Sequence, residues 1–363
     1  MTTESPPSSA LPLPRGLLIV LGLAATVIVI AGMKAAAGLI GPFFLALVLT
    51  IAAHPVGMAL RRRGLPNWVG TVACGVVVYA ILLGLALSLV IAGARFATLL
   101  PQYESDFDDV VDNVRGWLDD AGVDEERTSA MVSDFDLGRF ADFATDLLGQ
   151  LLGVVSNLAF IVTLLFFLVM DAAIFSGRLE RARADRAPVV DALTSFAHGT
   201  RRYLVVSTVF GLIVAIGDTI ALWALGVPAP LLWGLLSFIT NYIPNVGFVI
   251  GLVPPAVLAL LDGGVGLMIA VIAVYCVLNL VIQSFIQPKY VGDAVGLSTS
   301  LTFLSLVFWS WVLGPLGAFL AVPMSLFAKA LLVDVDPASS WVRPLISGGR
   351  DDQRPESRPD QPT

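Results

Sequence analysis

The sequence predicts an all-α fold: a polytopic helical membrane protein of about eight membrane segments, two of them broken or re-entrant hairpins, with a small outer helical domain. Three observations lead there. Hydrophobic residues make up 57% of the 363 and charged residues 13%, and the mean hydropathy is +0.86. That leaves too little polar surface to dissolve a chain of this length. Apolar runs of about 18 residues or more recur, each long enough to cross a hydrocarbon core of about 30 Å. Two of the longest, "NYIPNVGFVIGLVPPAVLALL" and "FWSWVLGPLGAFLAVPMSLFAKALL", are interrupted by Gly and Pro.

Residues 1–14 are rich in Ser and Pro and read as a disordered cytoplasmic N-terminus. They carry no basic n-region, so the first apolar run reads as a retained span and not as a cleaved leader. Membrane segments 1 to 3 fill residues 15–94, with spans near 16–33, 35–53 and 68–94. The first two are joined so closely around Lys34 that a helical hairpin is expected. The stretch 95–148 is polar. Within it Phe96, Leu99, Tyr103, Phe107, Val110, Val114 and Trp117 recur at spacings of three and four, the mark of an amphipathic helix. It reads as an extracytoplasmic helical cap, a self-packed or subunit-packing hairpin in one reading and a ligand-binding element in another.

Residues 149–203 hold a fourth span near 150–170 and a basic cytoplasmic segment. Residues 204–333 hold a fifth span near 204–225 and three further apolar regions, 231–261, 265–287 and 299–332. The tail 334–363 is charged and Pro-rich, and reads as disordered.

Lys and Arg set the orientation. Arg61, Arg62 and Arg63 stand in the loop 54–67 without an acid. The segment 171–202 sets Arg178, Arg181, Arg183, Arg186, Arg201 and Arg202 against Asp171, Glu180, Asp185 and Asp191. In 95–148 the balance reverses, with Arg95, Arg115, Arg127 and Arg139 outnumbered by acids from Glu104 to Asp146. The basic loops are therefore expected in the cytoplasm with both termini, and the acidic stretch outside.

The region 231–261 is too long for one straight crossing. Pro244 removes a backbone donor and biases Ile243 away from helix, so a break at "IPNVG" gives two short legs that enter and leave from one side. Asn241 and Asn245 are placed to bond the backbone groups that such a break sets free, with Gly247 beside them. A bend of this kind is tolerated at membrane depth only inside protein or beside a wet cavity. The region 299–332 repeats the design, broken at Gly314–Pro315 and again at Pro323. Between them, Asn279, Gln283 and Gln287 lie four apart on one helical face that ends at Pro288. Such a stripe is either interhelical glue or the polar wall of a path.

Asp218, in "VAIGDTIALW", lies mid-span, where acids are rare and costly. It reads as a proton-coupling or cation-binding group, or else as a structural carboxyl bonded to a broken hairpin. The net charge of −7 speaks against nucleic acid as a partner. Cys74 and Cys276 lie in apolar runs and pack as small residues, and with two histidines and no CxxC no metal or other cofactor is expected. No nucleophile–base constellation suggests an enzyme. The partners expected are the lipid bilayer, a small polar solute, H+ or Na+, and further copies of the chain, because small residues abound in the spans. A membrane assembly or sensing protein, its outer cap binding a partner, is the reading of another class.

The C-terminal half carries a resemblance. "NYIPNVGFVIGLVPPAVLALL" and "NLVIQSFIQPKYVGDAVGLSTSLTFLSLVFWSWVLGPLGAFLAVPMS" are similar to the autoinducer-2 exporter family of bacterial membrane proteins, in the branch with the "GLST…FWxWxLGPxG" signature. The matching residues are Pro244, Asn245, Gly247, Pro288, Gly292, Gly296, Gly314, Pro315, Gly317 and Pro323. The resemblance implies a protein of the bacterial cytoplasmic membrane that exports a small polar polyol, the quorum signal, driven by an ion gradient. For other relatives it implies sodium or cation exchange against protons. Many relatives have a carboxylate shortly before the proline matched by Pro288. This chain has "IQSFIQP" instead, which leaves Asp218 as the substitute.

Overall fold

The computed structural model describes residues 14–99, 158–244, 246–286, 297–336 and 342. Beyond Leu99, the outer stretch 95–148 lies outside the described residues, as do Asn245, Gln287, Pro288 and all but a few residues of the two ends. The described chain is helical and multi-pass: α1 (Arg15–Ala35), α2 (Ala37–Arg62), α3 (Asn67–Leu99), α4 (Leu158–Ala224), α5 (Pro230–Thr240), α6 (Gly247–Asn279), α7 (Thr299–Leu313) and α8 (Pro315–Lys329). Short π-helical turns, Leu280–Ile286 and Ala330–Asp334, follow α6 and α8. Six of the described helices are long and apolar enough to cross a membrane.

One expectation near the start of the chain is corrected. No hairpin forms around Lys34. Only Ala36 separates α1 from α2, at φ −97 and ψ 15, and the i→i−4 ladder runs through it, from Ala36 N to Gly32 O and from Ile40 N to Ala36 O. One near-helical residue bends a helix but does not reverse it. The basic stretch 171–202 takes helical form: α4 runs through it with a single break at Arg186 (φ −139, ψ 48). That break turns the chain, because Arg183 and Asp191 form an ion pair across it. In an uninterrupted helix, residues eight apart stand about 12 Å from one another along the axis.

The core gathers on α2. Ala46 and Val48 are fully buried, packed with Val78 of α3, Ile161 and Leu165 of the first arm of α4, and Leu320 and Val322 of α8. Phe327 of α8 joins the two sides, its ring 5.2 Å from both Phe44 of α2 and Phe196 of the second arm of α4. A second cluster holds Leu222, Trp233, Ala259, Val271 and Tyr275 of α4, α5 and α6. Apolar side chains such as Ile28, Ile220, Trp223, Leu231 and Leu332 cover the outside, a surface that lipid solvates and water does not.

Both broken regions are hairpins. Thr240 ends α5 and Gly247 begins α6, so residues 238–250 are not one helix. At 11 residues, α5 is about 16 Å long and stops well short of a crossing. The outgoing leg runs to a second interruption at Gly264 (φ 75, ψ −172), and the next span begins there. The second hairpin turns at Gly314 (φ 68), with Pro315 opening α8. Pro323, expected as a further break, is buried inside continuous α8.

In each hairpin the two legs touch through backbone. A Cβ on Gly247 would lie 1.8 Å from the Thr240 carbonyl oxygen, and one on Gly317 would lie 1.9 Å from the Trp309 carbonyl oxygen. Alanine therefore forces the legs apart at either position. Gly247→Ala and Gly317→Ala are expected to cost about 1–3 kcal/mol or more each, read as a lowered Tm of the purified protein in detergent. Gly38→Ala, where nothing lies within 4 Å of the added methyl, leaves the Tm unchanged or slightly raised.

Candidate functional site

Three elements meet where the first hairpin turns: the second arm of α4, the short helix α5, and α6 with its π-helical extension. Each brings polar groups to the same seam. On α4 these are Tyr203, Ser207, Thr208 and Asp218; on α5 and its turn Ser237, Thr240, Asn241 and Tyr242; on α6 Tyr275 and Asn279, with Gln283 beyond. Ser207, Asp218, Ser237, Thr240 and Asn279 are all buried.

The bonds run in sequence along the seam. Asn279 donates Nδ2 to the Tyr275 carbonyl one turn earlier, at 2.9 Å. Gln283 Nε2 donates to Asn279 Oδ1 at 2.7 Å and to Asn241 Oδ1 at 3.3 Å. Asn241 in turn donates Nδ2 to the Ser207 carbonyl on α4, at 3.3 Å. Gly211 makes this reach achievable, since a Cβ there would lie 2.8 Å from Asn241 Nδ2. Gln283 sits within the π-helical turn, whose wider winding re-aims side chains and recurs at functional positions.

The turn is anchored by tyrosines. Tyr203 donates its hydroxyl to the Tyr242 carbonyl at 2.6 Å. The Thr208 hydroxyl gives its proton to the Leu204 carbonyl, so the Tyr242 hydroxyl, 2.7 Å away, donates to Thr208 Oγ1. Asn241 was expected to bond the backbone freed by its own break. It bonds α4 and Gln283 instead, and Tyr203 satisfies the freed carbonyl.

Asp218 stands further along α4, about 16 Å from Ser207 at 1.5 Å per residue. It has no exposed surface, and neither carboxyl oxygen has a hydrogen-bond partner among the described residues. The Ser237 hydroxyl stands at the edge of hydrogen-bonding reach of it and the Tyr275 phenol near enough to feel its charge, and the two hydroxyls are 3.5 Å apart. The backbone of α5 presses close here, for a Cβ on Gly234 would overlap Thr219 Oγ1 of α4. A carboxyl and two hydroxyls from three elements thus face one another, and among the described residues no Lys or Arg is paired with the acid.

The residues singled out in the sequence divide accordingly. Asp218, Asn241, Asn279 and Gln283 come together on the seam, with Pro244 and Gly247 shaping its turn. Gly314 and Pro315 shape the other hairpin, where Leu316 packs 3.3 Å from a Cβ position on Gly41 of α2. The two hairpins meet instead through Tyr242 and Phe319, ring centroids 5.1 Å apart. Asn245, Gln287 and Pro288 lie outside the described residues. Sequence reading missed Tyr203, Ser207, Ser237 and Tyr275. Their signal was present: residues 203, 207, 211, 214 and 218 fall on one helical face, and its polar members stand out once Asp218 is known to be buried.

Comparison with known proteins adds the following. A family model described as AI-2E family transporter matches residues 23–335. A putative transport protein of Haemophilus influenzae is 31% identical over 317 residues, 86% of this chain and 91% of its own length. The AI-2 transport protein TqsA of Escherichia coli is 30% identical over 321 residues, 88% of this chain and 92% of its own. The putative transport protein YhhT of Escherichia coli is 30% identical over 348 residues, 94% and 97% of the two chains.

The hydrogen bonds of the seam are individually modest. A double-mutant cycle of Asn241→Leu and Gln283→Leu, read by Tm or chemical unfolding in detergent, is expected to return a coupling of about 0.6–1.7 kcal/mol. Tyr203→Phe strips the Tyr242 carbonyl of its donor and is expected to cost about 1–3 kcal/mol. It does so without changing the volume of the side chain much.

Proposed function

The chain belongs to the AI-2E family of transporters, and we propose from that premise that it is a secondary transporter whose solute is small and polar. AI-2 is the solute that the named relative TqsA suggests. The family fixes the coarser statement: this is a multi-pass membrane transporter. The observation that carries the finer one is the buried carboxyl of Asp218, with no Lys or Arg paired to it among the described residues, at one end of a seam of amides and hydroxyls.

An ionised carboxylate inside a membrane bundle costs several kcal/mol unless its charge is balanced. With no Lys or Arg paired to Asp218 among the described residues, the balance falls to a proton or to a small cation. The facing hydroxyls of Ser237 and Tyr275 supply the oxygen ligands that either species favours. Loading and unloading of that ion would change the charge between α4 and the α5–α6 hairpin. The amides of Asn241, Asn279 and Gln283 offer donors and acceptors matched to a solute rich in hydroxyls. Because the α5–α6 turn is held by side-chain bonds and not by a continuous helix ladder, it can shift without breaking the ladder of a whole span.

In this reading the protein lies in the cytoplasmic membrane of a bacterium. The arginines around 61–63 and 178–202 face the cytoplasm, and residues 95–148 lie outside. A second reading uses the same carboxyl: exchange of sodium or potassium against protons. The missing counter-charge at Asp218 favours it as much as it favours coupled export.

Both readings are tested in liposomes that hold the purified protein. AI-2 flux and sodium-driven pH change are measured separately under imposed gradients. Asp218→Asn is expected to lower the gradient-driven component about tenfold or more, with the Tm showing the variant folded. Sodium-driven pH change without AI-2 flux selects the exchange reading. Gradient-driven flux that survives Asp218→Asn intact removes Asp218 from coupling.

A further inference from the structure

A second polar site lies away from the seam, between the ends of α2 and α3 and the first arm of α4. A small cavity there is lined by His54 and Arg61 of α2, Thr71 and Cys74 of α3, and Val169 and Ala172 of α4. Two glycines create it. A Cβ on Gly70 would lie 3.0 Å from the Gly57 carbonyl oxygen and 3.4 Å from Arg61 Nε. The two helices therefore touch at these residues, and the guanidinium of Arg61 folds back over the contact.

Two nitrogens in this place are buried and without a partner among the described residues, His54 Nδ1 and Arg61 Nε. A second guanidinium approaches from the other arm of α4, where Arg201 donates Nε to the Ile51 carbonyl at 3.3 Å. The charged groups that act on His54 are Arg201 and Arg61, and no carboxylate is among them. Asp171, next to Ala172, is exposed on the outside of its helix. One guanidinium and an imidazole thus line the cavity, a second guanidinium lies beside it, near enough to act on the imidazole, and no carboxylate of the described chain is among the groups acting there.

We infer that this cavity takes a phosphate oxygen, and that the phosphate belongs to the headgroup of an anionic phospholipid in the leaflet bordering residues 61–67. Paired guanidiniums recognise phosphate through forked, charge-assisted hydrogen bonds. Basic pockets between membrane helices are suited to anionic headgroups. Size decides between a free ion and a lipid. The cavity has room for about one water-sized group, so a single oxygen enters while the rest of the phosphate stays at the mouth. There an acyl-anchored headgroup is held at high local concentration. Such a lipid would tie α2 and α3 to both arms of α4, across the reversal at Arg186.

The test is the thermal unfolding of the full-length protein in micelles doped with phosphatidylglycerol or phosphatidylcholine, and in plain micelles with inorganic phosphate. Phosphatidylglycerol is expected to raise the Tm by several degrees, and the other two are not. Arg61→Gln and Arg201→Gln lose that increment, whereas Arg178→Gln, on an exposed part of α4, keeps it. Ala172→Phe fills the cavity without touching a charge and also loses it, which covers the case in which an arginine variant fails to fold. An increment equal in Ala172→Phe and the unaltered protein reduces the effect to diffuse surface attraction and overturns the site. Stabilisation by inorganic phosphate as great as by the lipid overturns the headgroup assignment, and no stabilisation by either overturns both.

Discussion

The architecture depends on one constraint: backbone groups released by a helix break inside a membrane need partners from the protein itself. The turn between Thr240 and Gly247 releases such groups at the meeting of α4, α5 and α6. Tyr203 bonds the Tyr242 carbonyl, and the Tyr242 side chain returns to α4 through Thr208. Asn241 adds a third link, to the Ser207 carbonyl. The break is therefore fastened to α4 along two turns, and whatever moves the hairpin must work against those bonds.

The same constraint explains why polar groups accumulate here and why they matter. Once α5 stops short of a crossing, the helices beside it present an inner face that carries Ser207, Asn279 and Gln283 without exposing them to lipid. Asp218 lies at the far end of that face, buried and with no Lys or Arg paired to it among the described residues. A buried acid beside the bonded amides of the seam concentrates the charge problem of this face at one point. In the proposed coupling, addition or removal of one ion there is the event that would bias the position of the hairpin. The contact between Tyr242 and Phe319 gives that bias a route to the second hairpin, and through α8 to the core on α2.

The opposite character appears around His54. There the described chain concentrates positive charge, and helices approach through Gly57 and Gly70 rather than through polar bonds. The reversal at Arg186 brings both arms of α4 back to α2, so that Ala172 and Arg201 flank the same few residues. One long element thus contributes to both polar sites: its second arm passes beside the basic cavity at Arg201 and runs on to Asp218.

The sequence by itself determined the class and the breaks. Composition required lipid, and Pro244 with Gly247, and Gly314 with Pro315, fixed where the hairpins turn, because ring sterics, a missing donor and a missing Cβ are local properties. The four-residue spacing of Asn279 and Gln283 likewise placed them together on one face, and mid-span burial made Asp218 stand out. What the sequence did not determine was partnership. That Asn241 bonds α4 and not its own break, that Tyr203 satisfies the freed carbonyl, and that Ser237 and Tyr275 face Asp218 all depend on how three helices are set against one another. The same holds for α1 and α2, where tight spacing suggested a hairpin but the ladder runs on through Ala36. It holds also for Pro323, whose surroundings in α8 absorb a break that the residue alone would favour. Local chemistry says which residues need a partner; only the packing of distant segments decides which one they find.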